Sequence, residues 1–78
     1  MEMFNTVLEG KLNFDMNGMC FEILFEDGDT SGSLMSGTVI EVLIDGKWRT
    51  TRIKFEDDWY LEGFEDVEPQ GLDARMEV

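Results

Sequence analysis

The chain has 78 residues, and its 18 Asp and Glu against 6 Lys and Arg give a formal net charge of −12 at pH 7. This acidity disfavours direct binding to DNA or RNA, because contacts with phosphates require a basic surface, and it favours a basic protein partner. A disordered acidic tail is excluded as well, since 42% of the residues are hydrophobic and 12% are aromatic. We expect a single acidic β domain over residues 1–78.

The single cysteine, Cys20, indicates the cellular compartment. It excludes an internal disulfide, so a reducing environment is the simplest interpretation. No apolar run approaches the roughly 18 residues that span a membrane, and the N-terminal residues lack the basic start and apolar centre of a secretory signal. We therefore expect a cytoplasmic protein without a membrane segment. Cys20 lies in an apolar strand pattern, so it is expected to be buried.

Strand and turn signals alternate along the chain. The predicted strands cover residues 6–14, 19–25, 39–44, 47–55, 59–64 and 72–78, after a loosely held end at residues 1–5. Gly10 is a possible bend in the first strand. In the second strand, Phe21, Ile23 and Phe25 share one face, because side chains alternate along a strand. Residues 26–37 form a loop rich in Gly, Ser and Asp.

The number and spacing of these strands predict the fold class. Five or six short antiparallel strands in so short a chain indicate a mostly β fold, a small SH3-like barrel or roll with at most one short helical segment. The helical alternative concerns residues 72–78, whose alternation is weak, although so short a helix is marginal by itself. Pro69 lies in the connection before them and excludes central-strand pairing there.

The strongest local signal is the Asp45-Gly46 pair between two apolar, β-branched runs, which predicts a hairpin. A two-residue turn would pair Val42 with Arg49 and set cations among apolar side chains. A three-residue loop, with the glycine in a bulge, pairs Val42 with Trp48 and Glu41 with Arg49 instead. We prefer this bulged register, in which Trp48 is buried.

The residue types present give catalysis little support. The chain contains no histidine, Cys20 has no base near it in sequence, and no nucleophile–base arrangement is recognisable. Zinc sites of the usual Cys and His types are disfavoured for the same reason. We therefore expect no enzymatic activity and no cofactor.

Residues 27–32 match the first half of a calcium-binding loop. Asp27, Asp29 and Ser31 occupy the first, third and fifth ligand positions, and a glycine follows at the sixth. The pattern then fails, because Thr38 stands at the twelfth position in place of the bidentate glutamate, and the flanking elements are strands. A solvated polar connection is therefore the favoured interpretation, and metal binding by these three residues is the alternative.

A run of carboxylates in the C-terminal third is the best functional lead. Its members are Glu56, Asp57, Asp58, Glu62, Glu65, Asp66 and Glu68. They lie beside a strand in which Trp59 and Leu61 are expected to face the core, with Trp59 buried, so the acids would line one rim of the fold. Strand residues about 3.3 Å apart approximate the charge spacing of a DNA strand, one phosphate per about 3.4 Å. A solubilising surface is the competing interpretation.

Basic residues are concentrated in the second strand of the central hairpin, which contains Arg49, Arg52 and Lys54. We expect these cations to neutralise acids across the sheet. A separate anion site is disfavoured, because so few cations face so many carboxylates.

Short motifs in the C-terminal half carry a resemblance to a known family. They are Gly46-Lys47-Trp48, Thr51-Arg52-Ile53, Trp59-Tyr60-Leu61 with Gly63, and Gly71-Leu72 with Arg75. In combination, over residues 37–76, they resemble a small bacterial domain family of unknown function that is found on phages and integrative mobile elements. The resemblance implies an intracellular bacterial origin and supplies no catalytic residues. By analogy with small acidic phage proteins, it also implies similarity to inhibitors of host defence.

These observations favour a stoichiometric inhibitor encoded by a phage or mobile element. It would bind the basic nucleic-acid channel of a host defence nuclease, or of another DNA-binding protein, by DNA mimicry, as in anti-CRISPR proteins. Its contact surface would be the rim of carboxylates. Two alternatives stay open: a non-enzymatic protein-interaction module whose acidity serves solubility, and a small β domain that binds a metal through residues 27–31.

Overall fold

The computed structural model describes residues 7–77 and contains one antiparallel sheet of six strands. The strands are β1 (Val7–Asp15), β2 (Cys20–Leu24), β3 (Thr38–Ile44), β4 (Lys47–Phe55), β5 (Trp59–Leu61) and β6 (Asp73–Glu77). Their order in the sheet is β2-β1-β6-β3-β4-β5, and every pairing is antiparallel. The mostly β prediction is confirmed. Residues 7–77 contain no helix, and therefore none that is long and apolar enough to cross a membrane.

The sheet is not closed into a barrel. β2 and β5 stand at opposite ends of the strand order, and no backbone pairing joins them. The last described segment is a strand, so the helical alternative for it is wrong. The predicted loose end at residues 1–5 lies outside the described residues, as do Thr6 and Val78 at the ends of two predicted strands.

Alternation along the strands gives the sheet one apolar face, here called the core face, and one more polar outer face. The buried apolar side chains are Leu12, Phe21, Ile23, Leu34, Ile40, Val42, Ile53, Leu61 and Ala74. Partners in neighbouring strands fall on the same side of the sheet, as Leu12 does with Ile23. The predicted common face of Phe21 and Ile23 is confirmed, and Phe25 packs against the same cluster.

The β3–β4 hairpin adopts the two-residue turn, so the predicted bulged register is wrong. Ile44 pairs with Lys47 across the Asp45-Gly46 turn, and Val42 pairs with Arg49. Both turn residues have positive φ, 53° and 77°, which corresponds to the type I′ turn that matches the twist of a hairpin. Cations are tolerated on the core side here because Lys47 and Arg49 lie towards the hairpin tip, where both are exposed.

This register places Trp48 on the outer face, opposite Leu43. The Arg75 guanidinium of β6 lies over the Trp48 ring, 4.1 Å from its centroid, and Arg75 Nε donates to Glu41 Oε1 at 3.0 Å. Trp48 is therefore covered by a cation and not by the core. Both Trp48 and Trp59 are half-buried, so the predicted burial of the two tryptophans is only partial.

The two edge strands come together at Trp59, although their backbones do not pair. The Trp59 ring meets the Phe21 ring edge-on, with centroids 6.1 Å apart, and Trp59 Nε1–H donates to the Met19 carbonyl oxygen at 3.2 Å. Because Trp59 belongs to β5 and Phe21 to β2, this contact requires a strongly curled sheet. We call the contact between the two edges the seam.

Residues 25–37 cover the outer edge of β2. Ser31 N–H donates to the Ile23 carbonyl at 2.9 Å, and Leu34 N–H donates to the Phe21 carbonyl at 2.8 Å. In return, Ile23 N–H donates to Ser31 Oγ at 2.9 Å. An uncovered edge strand is a template for pairing with another chain, and this segment removes one such edge.

The oxygens of the candidate calcium ligands hold this same segment together. Asp27 Oδ1 accepts from Asp29 N–H, and Asp29 Oδ1 accepts from Thr30 N–H. Ser31 Oγ accepts the bond from β2 described above. Over residues 7–77, no group of three or more Asp, Glu, Cys or His side chains is arranged to hold a metal ion. These contacts favour the interpretation of the loop as a polar connection.

Two local features differ from the sequence-based predictions. β5 ends at Leu61 and not at Phe64, because the chain turns at Gly63, whose φ is 85°. Cys20 is half-buried and not buried. It lies on the outer face of an edge strand, opposite Asp15, where no second layer covers it.

Gly10 allows the end of β2 to approach β1 closely. A Cβ atom at Gly10 would lie 2.2 Å from the Leu24 carbonyl oxygen and 2.8 Å from the Leu24 carbonyl carbon. These are backbone atoms, so they cannot move aside as the end of a flexible side chain can. The approach therefore requires a residue without a side chain.

We predict that Gly10→Ala lowers the free energy of unfolding by about 3 kcal/mol, the upper end of typical overpacking costs. Gly46→Ala is the matched control, since a Cβ there meets nothing within 4 Å. Only the strain of a positive φ remains in that variant, about 1 kcal/mol. Urea denaturation followed by circular dichroism measures both values. Equal losses in the two variants would contradict the close approach at Gly10.

We predict that millimolar calcium leaves the melting temperature nearly unchanged. The twelfth ligand position lacks a carboxylate, and the loop oxygens already accept backbone hydrogen bonds. Thermal melts in calcium and in a chelator, for the wild type and for Asp27→Ala, make the comparison. A rise of many degrees in calcium that Asp27→Ala abolishes would instead establish a calcium site.

Candidate functional site

The structure brings five of the seven predicted rim acids together around the seam. The five are Glu56, Asp57, Asp58, Glu65 and Glu68. The first four border a shallow concavity together with Trp59 and Tyr60. Glu68 borders a second concavity, which shares Asp58 and Trp59 with the first. We call the surface formed by these five acids the acidic edge.

The other two predicted acids lie apart from these concavities. Glu62 is on the outer face, and its Oε2 lies 2.6 Å from Lys54 Nζ. This hydrogen bond, together with the attraction between the two charges, lowers the pKa of Glu62 and raises the pKa of Lys54. Both groups are exposed to water, so screening keeps the pair weak. Asp66 is exposed in the turn after β5 and borders neither concavity.

The second concavity, here called the seam pocket, lies where β1, β2 and β5 meet, and its volume is about 340 Å³. Its lining residues are Phe14, Phe21, Asp58, Trp59, Glu68 and Gln70. The Phe14 and Phe21 rings meet edge-on with centroids 5.3 Å apart, and Phe21 meets Trp59 in the same way. Three aromatic rings therefore form one continuous wall of the pocket.

Hydrogen bonds orient two polar groups of the seam pocket. Asp58 Oδ1 accepts from Trp59 N–H at 2.8 Å. The Gln70 side-chain oxygen accepts from Phe14 N–H at 2.8 Å, and its amide nitrogen donates to an asparagine of β1 at 3.2 Å. The Glu68 carboxylate makes no hydrogen bond or ion pair with the part of the chain that the structure describes. The pocket thus combines oriented polar groups with one carboxylate that has no partner within residues 7–77.

Exposed aromatic surface lies next to Trp59, which borders both concavities. Phe55, at the end of β4, is 52% exposed, and its ring centroid lies 5.2 Å from that of Trp59. It extends the aromatic wall of the seam pocket to the outside of the protein. Glu65 Oε2 accepts from Gly63 N–H at 2.8 Å, which anchors this carboxylate in the segment after β5.

Cations neutralise acids away from the acidic edge. Within residues 7–77, the ion pairs are Lys11 with Asp73, Lys54 with Glu62, and Arg75 with Glu41. The prediction that the cations of β4 neutralise acids across the sheet is therefore confirmed for Lys54, which pairs with Glu62. Arg52 donates to a loop carbonyl, and its charge also contributes to lowering the pKa of Glu62. The predicted pairing of Arg49 with Glu41 is wrong, because Glu41 stands opposite Thr50 in the hairpin and binds Arg75. None of these three ion pairs includes an acid of the acidic edge.

Several residues of the site were not predicted from the sequence, namely Phe14, Phe21, Phe55 and Gln70. Phe14 and Phe21 are partners across the β1–β2 hairpin, so strand phase alone indicates that they are neighbours. Their position beside Trp59 depends on the curl of the sheet, which no local pattern encodes. Gln70 is 56 positions from Phe14 in the sequence, and no motif links the two.

The motifs that carry the family resemblance mainly hold the fold together. Trp48 and Arg75 stack on the outer face. Thr51 is buried, and its hydroxyl donates to the Glu62 carbonyl at 2.7 Å. Trp59 differs from these residues, because it both closes the core and borders the two concavities.

Comparison with known proteins supports this fold and identifies the family. No curated protein matches the chain. A crystal structure of a protein from Ruminococcus gnavus is 33% identical, with a TM-score of 0.81, and the match covers 88% of this chain and 100% of that chain. The model of a domain of unknown function, DUF5348, matches residues 10–78, which extends the similarity from the C-terminal motifs into the first hairpin. The chain therefore belongs to the DUF5348 family.

Proposed function

We propose that this domain is a non-enzymatic binding module that attaches to a basic protein through its acidic edge. The supporting observation is that the five acids of this edge form no ion pair within residues 7–77. Three acids of the outer face, Glu41, Glu62 and Asp73, do have cationic partners. Unneutralised carboxylates gathered at one place repel one another, and a cationic partner relieves that repulsion.

Exposed aromatic surface distinguishes the acidic edge from a merely solubilising one. Phe55 is half-exposed, and the half-buried Trp59 lies beside it. Large aromatic side chains are over-represented among the residues that contribute most to protein–protein affinity. Solubility requires charge alone, and exposed aromatic rings work against it. The combination therefore favours an interaction surface over the solubility alternative.

The kind of partner that fits best is a nucleic-acid-binding protein. Such a protein presents a basic surface to nucleic-acid phosphates, and a group of carboxylates without cationic partners is complementary in charge to that surface. The most specific role of this kind is that of an anti-CRISPR-like inhibitor of a defence nuclease. Such an inhibitor would be encoded by a phage or mobile element and would act in the bacterial cytoplasm. This role is suggested by the resemblance of the C-terminal motifs to domains of phages and mobile elements.

The double reversal Glu56→Lys/Asp57→Lys tests the acidic edge without changing the seam pocket. Neither side chain makes a hydrogen bond or ion pair within residues 7–77, so we expect stability to change by no more than about 0.5 kcal/mol. The control, Glu22→Lys/Glu26→Lys, changes the net charge equally on β2 and the loop after it. All three proteins are immobilised and used to capture proteins from a bacterial lysate, and the affinity of each captured protein is then measured singly.

We expect a basic protein that binds the wild type and the control equally and binds Glu56→Lys/Asp57→Lys about tenfold more weakly. Its affinity for the wild type also falls steeply with added salt, because the attraction is screened over about 8 Å at 0.15 M. A captured basic protein that binds the wild type and both variants equally, or whose affinity does not depend on salt, would contradict the proposal.

A further inference from the structure

We propose that the seam pocket binds an arginine side chain of the partner. This inference rests on the proposed function and names the group that the partner presents at one point of the acidic edge. The pocket combines three aromatic rings with the carboxylates of Asp58 and Glu68. Neither carboxylate forms an ion pair with a cation of residues 7–77.

The half-buried Trp59 ring supplies the surface on which a flat cation can stack. Phe14, Phe21 and Trp59 contact one another edge-on in a row, with centroid distances of 5.3 and 6.1 Å. The Trp59 ring is held by its hydrogen bond to the Met19 carbonyl at 3.2 Å and by its contact with Phe55. Because the ring is already held in place, a ligand that stacks on it does not have to immobilise it.

The two carboxylates supply charge at the border of the pocket. The bond from Trp59 N–H to Asp58 Oδ1 orients the Asp58 carboxylate before any ligand arrives. Its other oxygen and the whole Glu68 carboxylate have no hydrogen-bond partner within residues 7–77. A guanidinium carries five N–H donors in one plane, so it can donate to carboxylates at its edge while its face lies against a ring.

The outer face of the same sheet already contains this arrangement. The Arg75 guanidinium lies 4.1 Å from the centroid of the Trp48 ring, and its Nε–H donates to Glu41 Oε1 at 3.0 Å. The seam pocket repeats the tryptophan and the carboxylate of that arrangement and lacks only the cation. The volume of about 340 Å³ is at the lower end of the range for small-ligand pockets, which suits one side chain.

Arginine fits this pocket better than lysine. Its guanidinium is planar and weakly hydrated, so it stacks on an aromatic ring at a small cost in desolvation. The lysine ammonium is compact and strongly hydrated, and it cannot donate two parallel hydrogen bonds to a carboxylate. The half-buried Trp59 ring and the oriented Asp58 carboxylate both favour the planar group.

An NMR titration of 15N-labelled protein with N-acetyl-arginine methylamide tests the inference. The Trp59 Nε1–H signal reports on the seam, and the Trp48 signal on the outer face is the internal reference. We expect a saturable shift of the Trp59 signal at millimolar ligand and none of the Trp48 signal. The lysine analogue is expected to bind roughly threefold more weakly, and the citrulline analogue, which is neutral and of similar shape, is expected not to bind.

Glu68→Gln removes one charge from the pocket and keeps the shape of the side chain. We expect it to weaken binding of the arginine analogue by roughly threefold, with the rest of the spectrum unchanged. Glu62→Gln makes the same substitution on the outer face and is the matched control. It is expected to leave the affinity for the arginine analogue unchanged.

Shifts that do not saturate, or that are equal for the arginine and lysine analogues, would overturn the inference, because general attraction of cations explains them. If a basic partner depends on Glu56 and Asp57 while Trp59 does not respond to arginine, this inference fails and the proposed function stands. If the arginine analogue binds at Trp59 while Glu56→Lys/Asp57→Lys captures the same proteins as the wild type, the proposed function fails instead.

Discussion

The contact between the two edge strands at Trp59 is the constraint on which the rest of this structure depends. A single sheet has no second layer to cover its apolar face, so it buries that face by curling on itself. β2 and β5 stand at opposite ends of the strand order, yet Trp59 packs on Phe21 and donates to the Met19 carbonyl. The same side chain therefore closes the core and reaches the surface.

Closure at the seam also determines where charge collects. The turn before β5 and the segment after it carry the five acids of the acidic edge, and the curl of the sheet brings Asp58 and Glu68 beside aromatic rings of β1 and β2. The outer face is different, because Lys11, Lys54 and Arg75 each pair with an acid there. The gathering of five acids without ion pairs at one place, more than the net charge, supports the proposal of a basic partner.

Local patterns predict most of this fold and only part of the site. Strand positions and the core faces of β2 and β5 follow from alternation, which also indicates that Glu62 points away from Leu61. The predicted hairpin register is wrong because it is chosen to pair apolar side chains, which places Trp48 in the core. In the structure, Trp48 lies on the outer face and Arg75 of β6 covers it. The seam pocket is unpredictable from local patterns, because only the curl of the whole sheet brings its elements together.

The most direct measurement of the seam is the nuclear Overhauser effect between the side chains of Trp59 and Phe21. Strands at opposite ends of the order are too far apart in a flat sheet to give such signals. A curled sheet predicts cross-peaks between the Trp59 indole and the Phe21 ring, together with slow exchange of Trp59 Nε1–H. If these signals are absent while the β1–β2 and β3–β4 pairings are intact, the sheet is open at the seam, and both the seam pocket and its arginine ligand are ruled out.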